Sequence, residues 1–122
     1  MSEQTLNRIK KIIEKLINLD NKISGKYLMP YSTSDEDYAE FIITYEYDRL
    51  ILWEADNYDG CKYDGSLYVK ILNIKVGFEG DWEEVSYIDD LPSWIEDDLQ
   101  GKIFESFDSE LPFVCFDLTF TY

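Results

Sequence analysis

Along the first part of the chain, apolar residues step by three and four. Leu6, Ile9, Ile12, Ile13, Leu16 and Ile17 share one face and leave the lysines on the other, the pattern of an amphipathic helix. Ser2 stands where an N-cap belongs. Asn18 to Gly25 closes the helix, and Tyr27 to Ser34 is expected to be extended, with Pro30 confining it to an edge or a loop. The period then changes to two: Ala39, Phe41, Ile43, Tyr45 and Tyr47 alternate with Glu40, Ile42, Thr44 and Glu46, which predicts a strand with one wet face. Asp48-Arg49 reads as a tight turn into a second strand, Leu50 to Asp56.

Asn57 to Gly65, NYDGCKYDG, holds two Asp-Gly pairs and reads as a loop. In the run Ser66 to Gly77, Leu67, Val69 and Ile71 share one parity and Leu72, Ile74 and Val76 the other, a phase change that predicts a bulge near Leu72-Asn73 or burial on both sides. Trp82 to Ile88 fits a shorter strand. Pro92-Ser93-Trp94-Ile95-Glu96 resembles a capping box, and Ile95, Leu99, Ile103 and Phe107 recur at fours behind it, predicting a second helix despite Gly101. Pro112 starts a last strand in which Val114, Phe116, Leu118, Phe120 and Tyr122 alternate with Cys115, Asp117, Thr119 and Thr121. These elements predict an α+β domain: an antiparallel sheet of four to five strands with an N-terminal helix and a second helix before the last strand, both helices on one face. A length of 122 residues fits one compact acidic domain spanning 1–122.

Charge adds what periodicity does not. The chain carries 26 acidic and 11 basic residues, a net −15. Residues 1–26 hold six of the bases (Arg8, Lys10, Lys11, Lys15, Lys22, Lys26) and three acids, leaving 5 bases and 23 acids, a net −18, for the remainder. Such a polyanion repels nucleic acid and anionic membrane and steers basic surfaces toward it, raising on-rates roughly 10- to 1,000-fold at low salt. Direct nucleic-acid binding and membrane association are therefore not expected. No run reaches the roughly 20 apolar residues of a membrane span, and Met1-Ser2-Glu3-Gln4 lacks the order of a secretion signal, so a cytoplasmic protein is expected. In that compartment Cys61 and Cys115 are expected to be reduced thiols.

With no histidine, Ser-His-Asp and Cys-His catalysis fall away, as do most zinc sites. Two cysteines cannot make a four-sulfur centre. An EF-hand register on Gly60 puts Ala55 at the first ligand position and Ser66 at the last; a register on Gly65 puts Gly60 first and Lys62 third, so both fail. Glu54 with Asp56, or Glu83 with Glu84, are carboxylate pairs of the kind 26 acids supply by chance. There is no phosphate-binding glycine loop. No enzyme activity, cofactor or metal is expected.

Recognition remains. Tyrosines and tryptophans lie among carboxylates, a mixture that holds arginine by stacking and by charge together. The candidate contact residues are Glu54, Asp56, Tyr58, Asp59, Tyr63 and Asp64 around the loop, and Asp81, Trp82, Glu83, Glu84, Asp89 and Asp90 in the later segment. Trp53, on an apolar strand, is expected in the core; Tyr58 and Tyr63 are expected to be exposed.

Leu52-Trp53-Glu54, followed after the loop by Leu67-Tyr68-Val69-Lys70-Ile71-Leu72-Asn73-Ile74-Lys75-Val76-Gly77, resembles immunity proteins of bacterial polymorphic toxin systems. In the TriTu-type group a strand ending in Trp-Glu precedes one of the form ILN, two residues, Gly. The resemblance implies a cytosolic antidote that binds and occludes a basic cognate toxin, often a nuclease. The acidic field also fits a phage-type nucleic-acid mimic that blocks a DNA-binding defence protein, and a third class, a small enzyme, would require a deep pocket.

Overall fold

The computed structural model describes residues 3–28, 38–55, 60–78, 81–108, 110–111 and 113–122. Helix α1 (Glu3–Leu19) leads into β1 (Lys22–Leu28), β2 (Tyr38–Glu54), β3 (Tyr63–Phe78) and β4 (Asp81–Glu84); a 3-10 turn (Ile88–Asp90), helix α2 (Ser93–Asp108) and β5 (Val114–Thr121) follow. The fold is α+β with five strands, an N-terminal helix and a second helix before the last strand, as the periodicities predict. β1 to β4 form an antiparallel run in chain order, and β5 joins it by pairing with β3 in parallel.

The helices form where apolar side chains recur at helical spacing. Ile9, Ile13 and Ile17 of α1 and Ile95, Leu99, Ile103 and Phe107 of α2 are buried against Phe41, Ile43, Tyr45, Leu67, Val69 and Ile74 of the sheet. Each such side chain stabilises the fold by about 1.5–3 kcal/mol relative to exposure. Both helices therefore cover one face, and the other face of the sheet is left open.

Two irregularities keep the long strands in phase with that core. β3 bulges at Leu72: Tyr45 pairs with Ile71 and Thr44 with Asn73, so Leu72 turns outward and Ile74 returns to the core, as the phase change in the sequence predicts. β2 is one strand of 17 residues; the turn expected at Asp48-Arg49 is instead a register shift between Tyr47 and Arg49. The extra residue leaves Arg49 outside and brings Leu50 in. Outside, the Arg49 guanidinium lies 4.1 Å from the centre of the Tyr68 ring.

Other boundaries shift as well. β1 begins at Lys22, earlier than Tyr27, because Gly25 can sit in a strand there: a Cβ would lie 2.9 Å from the Phe41 ring. β3 begins at Tyr63, inside the expected loop, and β4 ends at Glu84, short of Ile88. Residues 29–34 of the expected extended segment and Asp56 of the expected second strand lie outside the described residues. Cys61 and Cys115 form a disulfide with Cα atoms 6.0 Å apart, contrary to the expected free thiols. Parallel pairing sets Cys115 in register with Asp64, three residues from Cys61, and so brings the two sulfurs together. Among the described residues, no helix is long and apolar enough to cross a membrane.

Candidate interaction surface

The nine described residues among the twelve singled out by composition fall at two separate places in the fold. Glu54 pairs with Tyr63 at one end of the β2–β3 ladder, with Asp64 next to them opposite Trp53. Asp81 to Glu84 pair with Phe78 to Lys75 at the other end of β3. Fifteen residue steps at about 3.3 Å separate Tyr63 from Phe78, on the order of 45–50 Å along the strand. Asp56, Tyr58 and Asp59 lie outside the described residues.

At the hairpin end, two aromatic expectations reverse. Tyr63 is half-buried, packed against the core and edge-on to Phe113 at 6.0 Å. Trp53, expected in the core, is 43% exposed on the open face of the sheet. It shares Asp64's cross-strand row, so parity rather than apolar neighbours decides its side.

The far end gathers more than the sequence brings together. From Asp81 to Asp98 the chain holds eight acids and no base. Asp81, Glu83, Glu84, Asp89, Asp90, Asp97 and Asp98 are exposed, as are Trp82, Tyr87, Trp94 and Tyr122. Trp82 is seated by the absence of a side chain opposite it: a Cβ on Gly77 would lie 2.7 Å from the indole. The 3-10 turn and α2 then carry the chain back beside the end of β5.

The topology also leaves a notch there. β5 pairs with β3 as far as Thr121 with Lys70, and β4 takes up pairing from Lys75 with Glu84, extended by the Val85 N–H donating to the Ile74 carbonyl at 2.8 Å. Ile71 to Asn73, the bulged stretch of β3, face a groove of about 420 Å³ between the two strands. Glu84, Tyr87 and Tyr122 are among its walls. Asn73 Nδ2 donates to Glu84 Oε1 at 3.1 Å, the rings of Tyr87 and Tyr122 meet edge to face at 5.1 Å, and the Ile88 N–H donates to the Tyr122 hydroxyl at 3.4 Å. The pKa of Tyr122 is raised, first by burial of the hydroxyl end and then by the charges of Asp89, Glu96 and Asp90, while the Ile88 N–H opposes the shift. Those three carboxylates thus act on one phenol.

Bases border this edge without interrupting its run of acids: Lys75 is the cross-strand partner of Glu84, and Lys26 lines a hollow beside Trp82. Arg49, Lys70 and Lys75, three of the five beyond residue 26, lie on the open face of the sheet, and Lys102 of α2 is held by Asp20 at 3.1 Å and by the Lys22 carbonyl. The segment from β4 into α2 is therefore a run of carboxylates around aromatic rings. It presents what a guanidinium needs: charge to pair with and π-faces to lie on. Arg49 on Tyr68 shows the same contact within the molecule. Charge and aromatic pattern along the chain mark Asp81 to Asp90 of this surface but not Glu96, Asp97, Asp98, Trp94 or Tyr122. Trp94 beside three acids was a signal available in the sequence, whereas Tyr122 enters through tertiary structure alone.

Among the described residues, one group has metal-ligand spacing: Cys61, Asp64 and Cys115, with ligand atoms all within 4.8 Å of one another. Searches of protein-family models, curated proteins and solved structures give no match to this chain.

Proposed function

We propose that this protein is a non-enzymatic inhibitor that binds and occludes a basic protein partner, a cognate toxin as for the immunity proteins it resembles. The contact surface is the acidic, aromatic-bearing edge formed by β4, the 3-10 turn and the start of α2. One observation carries the reading: eight acids without a base run from Asp81 to Asp98, and Trp82, Tyr87 and Tyr122 stand exposed among them. Occlusion requires surface and field and no catalytic group. The setting proposed is the bacterial cytoplasm, where toxin and antidote meet and where the Cys61–Cys115 bond would be held open as two thiols.

The scale is adequate. A standard interface takes roughly 800 Å² from each partner, about a tenth of this molecule's 8056 Å². Tyr87 and Tyr122 around the notch are the natural anchors, since hot spots concentrate in aromatic residues at desolvated centres. The flanking carboxylates steer the encounter more than they hold the complex.

The test is to look for a toxin-like reading frame adjacent to this gene and to co-express its product with this protein; absence of any such frame would count against the antidote. Wild-type protein should restore growth, and Asp89→Lys/Asp90→Lys should not. Equal rescue by both would remove this edge from the account. Failure of both to neutralise would refute the antidote.

A further inference from the structure

The second end of the sheet, outside the proposed contact edge, carries a different chemistry. Cys61 and Asp64 are spaced C-x-x-D across the start of β3. Cys115 is the parallel-register partner of Asp64 on β5. Two sulfurs and a carboxylate oxygen thereby lie within 4.8 Å of one another.

We propose that in the reduced protein these three side chains bind one Zn²⁺ ion, so that disulfide and metal are alternative closures of the same loop. Zinc takes sulfur and oxygen donors in four-coordinate sites, with thiolates its strongest protein ligands. Cys61, Cys115 and Asp64 supply three positions, and water completes the fourth. Cys61 is buried while Cys115 is exposed, which gives the ion a wall on one side and an entry path on the other.

The ligands are held by more than the sulfur bond. The N–H groups of Lys62 and Tyr63 both donate to the Phe113 carbonyl, at 2.8 and 3.2 Å, and the β3–β5 ladder continues from Tyr63 with Val114. Reduction leaves those hydrogen bonds intact and the donors close together. The phosphine attacks one sulfur and expels the other as thiolate; water then hydrolyses the thiophosphonium, giving its oxygen to the phosphine oxide and its two protons to the two thiols. Metal binding then releases the two thiol protons to buffer. Sequence patterns alone hide this site, because one ligand lies 54 residues from another and only strand register unites them.

The full chain, reduced with a phosphine and freed of metal, should be titrated with Co²⁺. A thiolate-to-cobalt charge-transfer band should grow to one equivalent and disappear as Zn²⁺ displaces Co²⁺. Oxidised protein and Cys115→Ser should give no such band. Asp64→Asn should keep a thiolate band and lose at least about tenfold in affinity, the lower end of what even supporting groups around a metal contribute. Far-UV circular dichroism on the same samples reports folding: if reduction unfolds the chain, Zn²⁺ should restore it. Absence of the band in reduced protein, saturation at half an equivalent, or unchanged affinity in Asp64→Asn would each overturn the proposal.

Discussion

Opening the Cys61–Cys115 bond is the perturbation with the most calculable consequence. The cysteines are 54 positions apart, and cross-linking a loop of that length lowers the entropy of the unfolded chain enough to stabilise the fold by about 4 kcal/mol at 25 °C. A domain of this size is stable by roughly 5–15 kcal/mol in all, so reduction should remove a large share while leaving it folded in the absence of denaturant. With a urea dependence of roughly 2 kcal/mol per molar, the midpoint should fall by about 2 M. The slope should steepen, since the reduced unfolded state is more expanded. The assay is urea unfolding of oxidised and phosphine-reduced protein, with chelator in both. Far-UV circular dichroism is the probe, because it follows the two helices and the sheet directly. A Cys61→Ser/Cys115→Ser variant should unfold at one midpoint with or without reductant. Coincident midpoints for oxidised and reduced wild type would refute the loop-entropy reasoning.

Alkaline pH should expose Tyr45, whose pKa is raised to about 12, by burial first and by the Asp20 charge second. Its hydroxyl donates to the Asp20 carbonyl at 2.8 Å. Because the folded value lies above the unfolded one near 10, the contribution is complete below pH 10 and is lost as pH rises toward 12. The loss is about 2–3 kcal/mol, and Tyr45→Phe should flatten that part of the stability–pH curve. Gly77→Val should displace the Trp82 indole and destabilise by about 1–3 kcal/mol, read as a lower urea midpoint; an unchanged midpoint would mean the ring does not lie on that glycine. Sodium chloride should raise the melting temperature by screening the self-repulsion of 15 excess negative charges, and a flat response would mean the charges are spaced too widely to repel. Asp89→Lys/Asp90→Lys should change the urea midpoint little or raise it, since both side chains are exposed within the acidic run.

Local period was enough to place both helices and most strands. Ile95, Leu99, Ile103 and Phe107 could serve only a helix, and the switch of parity after Ile71 required the bulge that Leu72 makes. Asp48-Arg49 reads as a turn yet forms a register shift, because a polar pair between apolar alternations fits a turn and a bulge equally well. What decided it is the long pairing of β2 with β3, a non-local fact. The same holds for the disulfide, for the parallel seat of β5 and for the outward side of Trp53. Each depends on which strand lies beside which, and no short window carries that information. The acidic edge was half legible: charge marked Asp81 to Asp90, but α2 and the end of β5 join it through the fold.

The central claim is that the β4-to-α2 edge docks a cationic protein. Its most direct test is the binding of wild-type, Tyr87→Ala and Asp89→Lys/Asp90→Lys proteins to whichever toxin domain the wild-type protein neutralises in co-expression, followed by surface plasmon resonance at two salt concentrations. The account predicts that Tyr87→Ala dissociates faster, costing on the order of 2 kcal/mol. It also predicts that the charge reversal slows association by about tenfold or more at low salt, with the gap narrowing at high salt. Identical rates for all three proteins would contradict it.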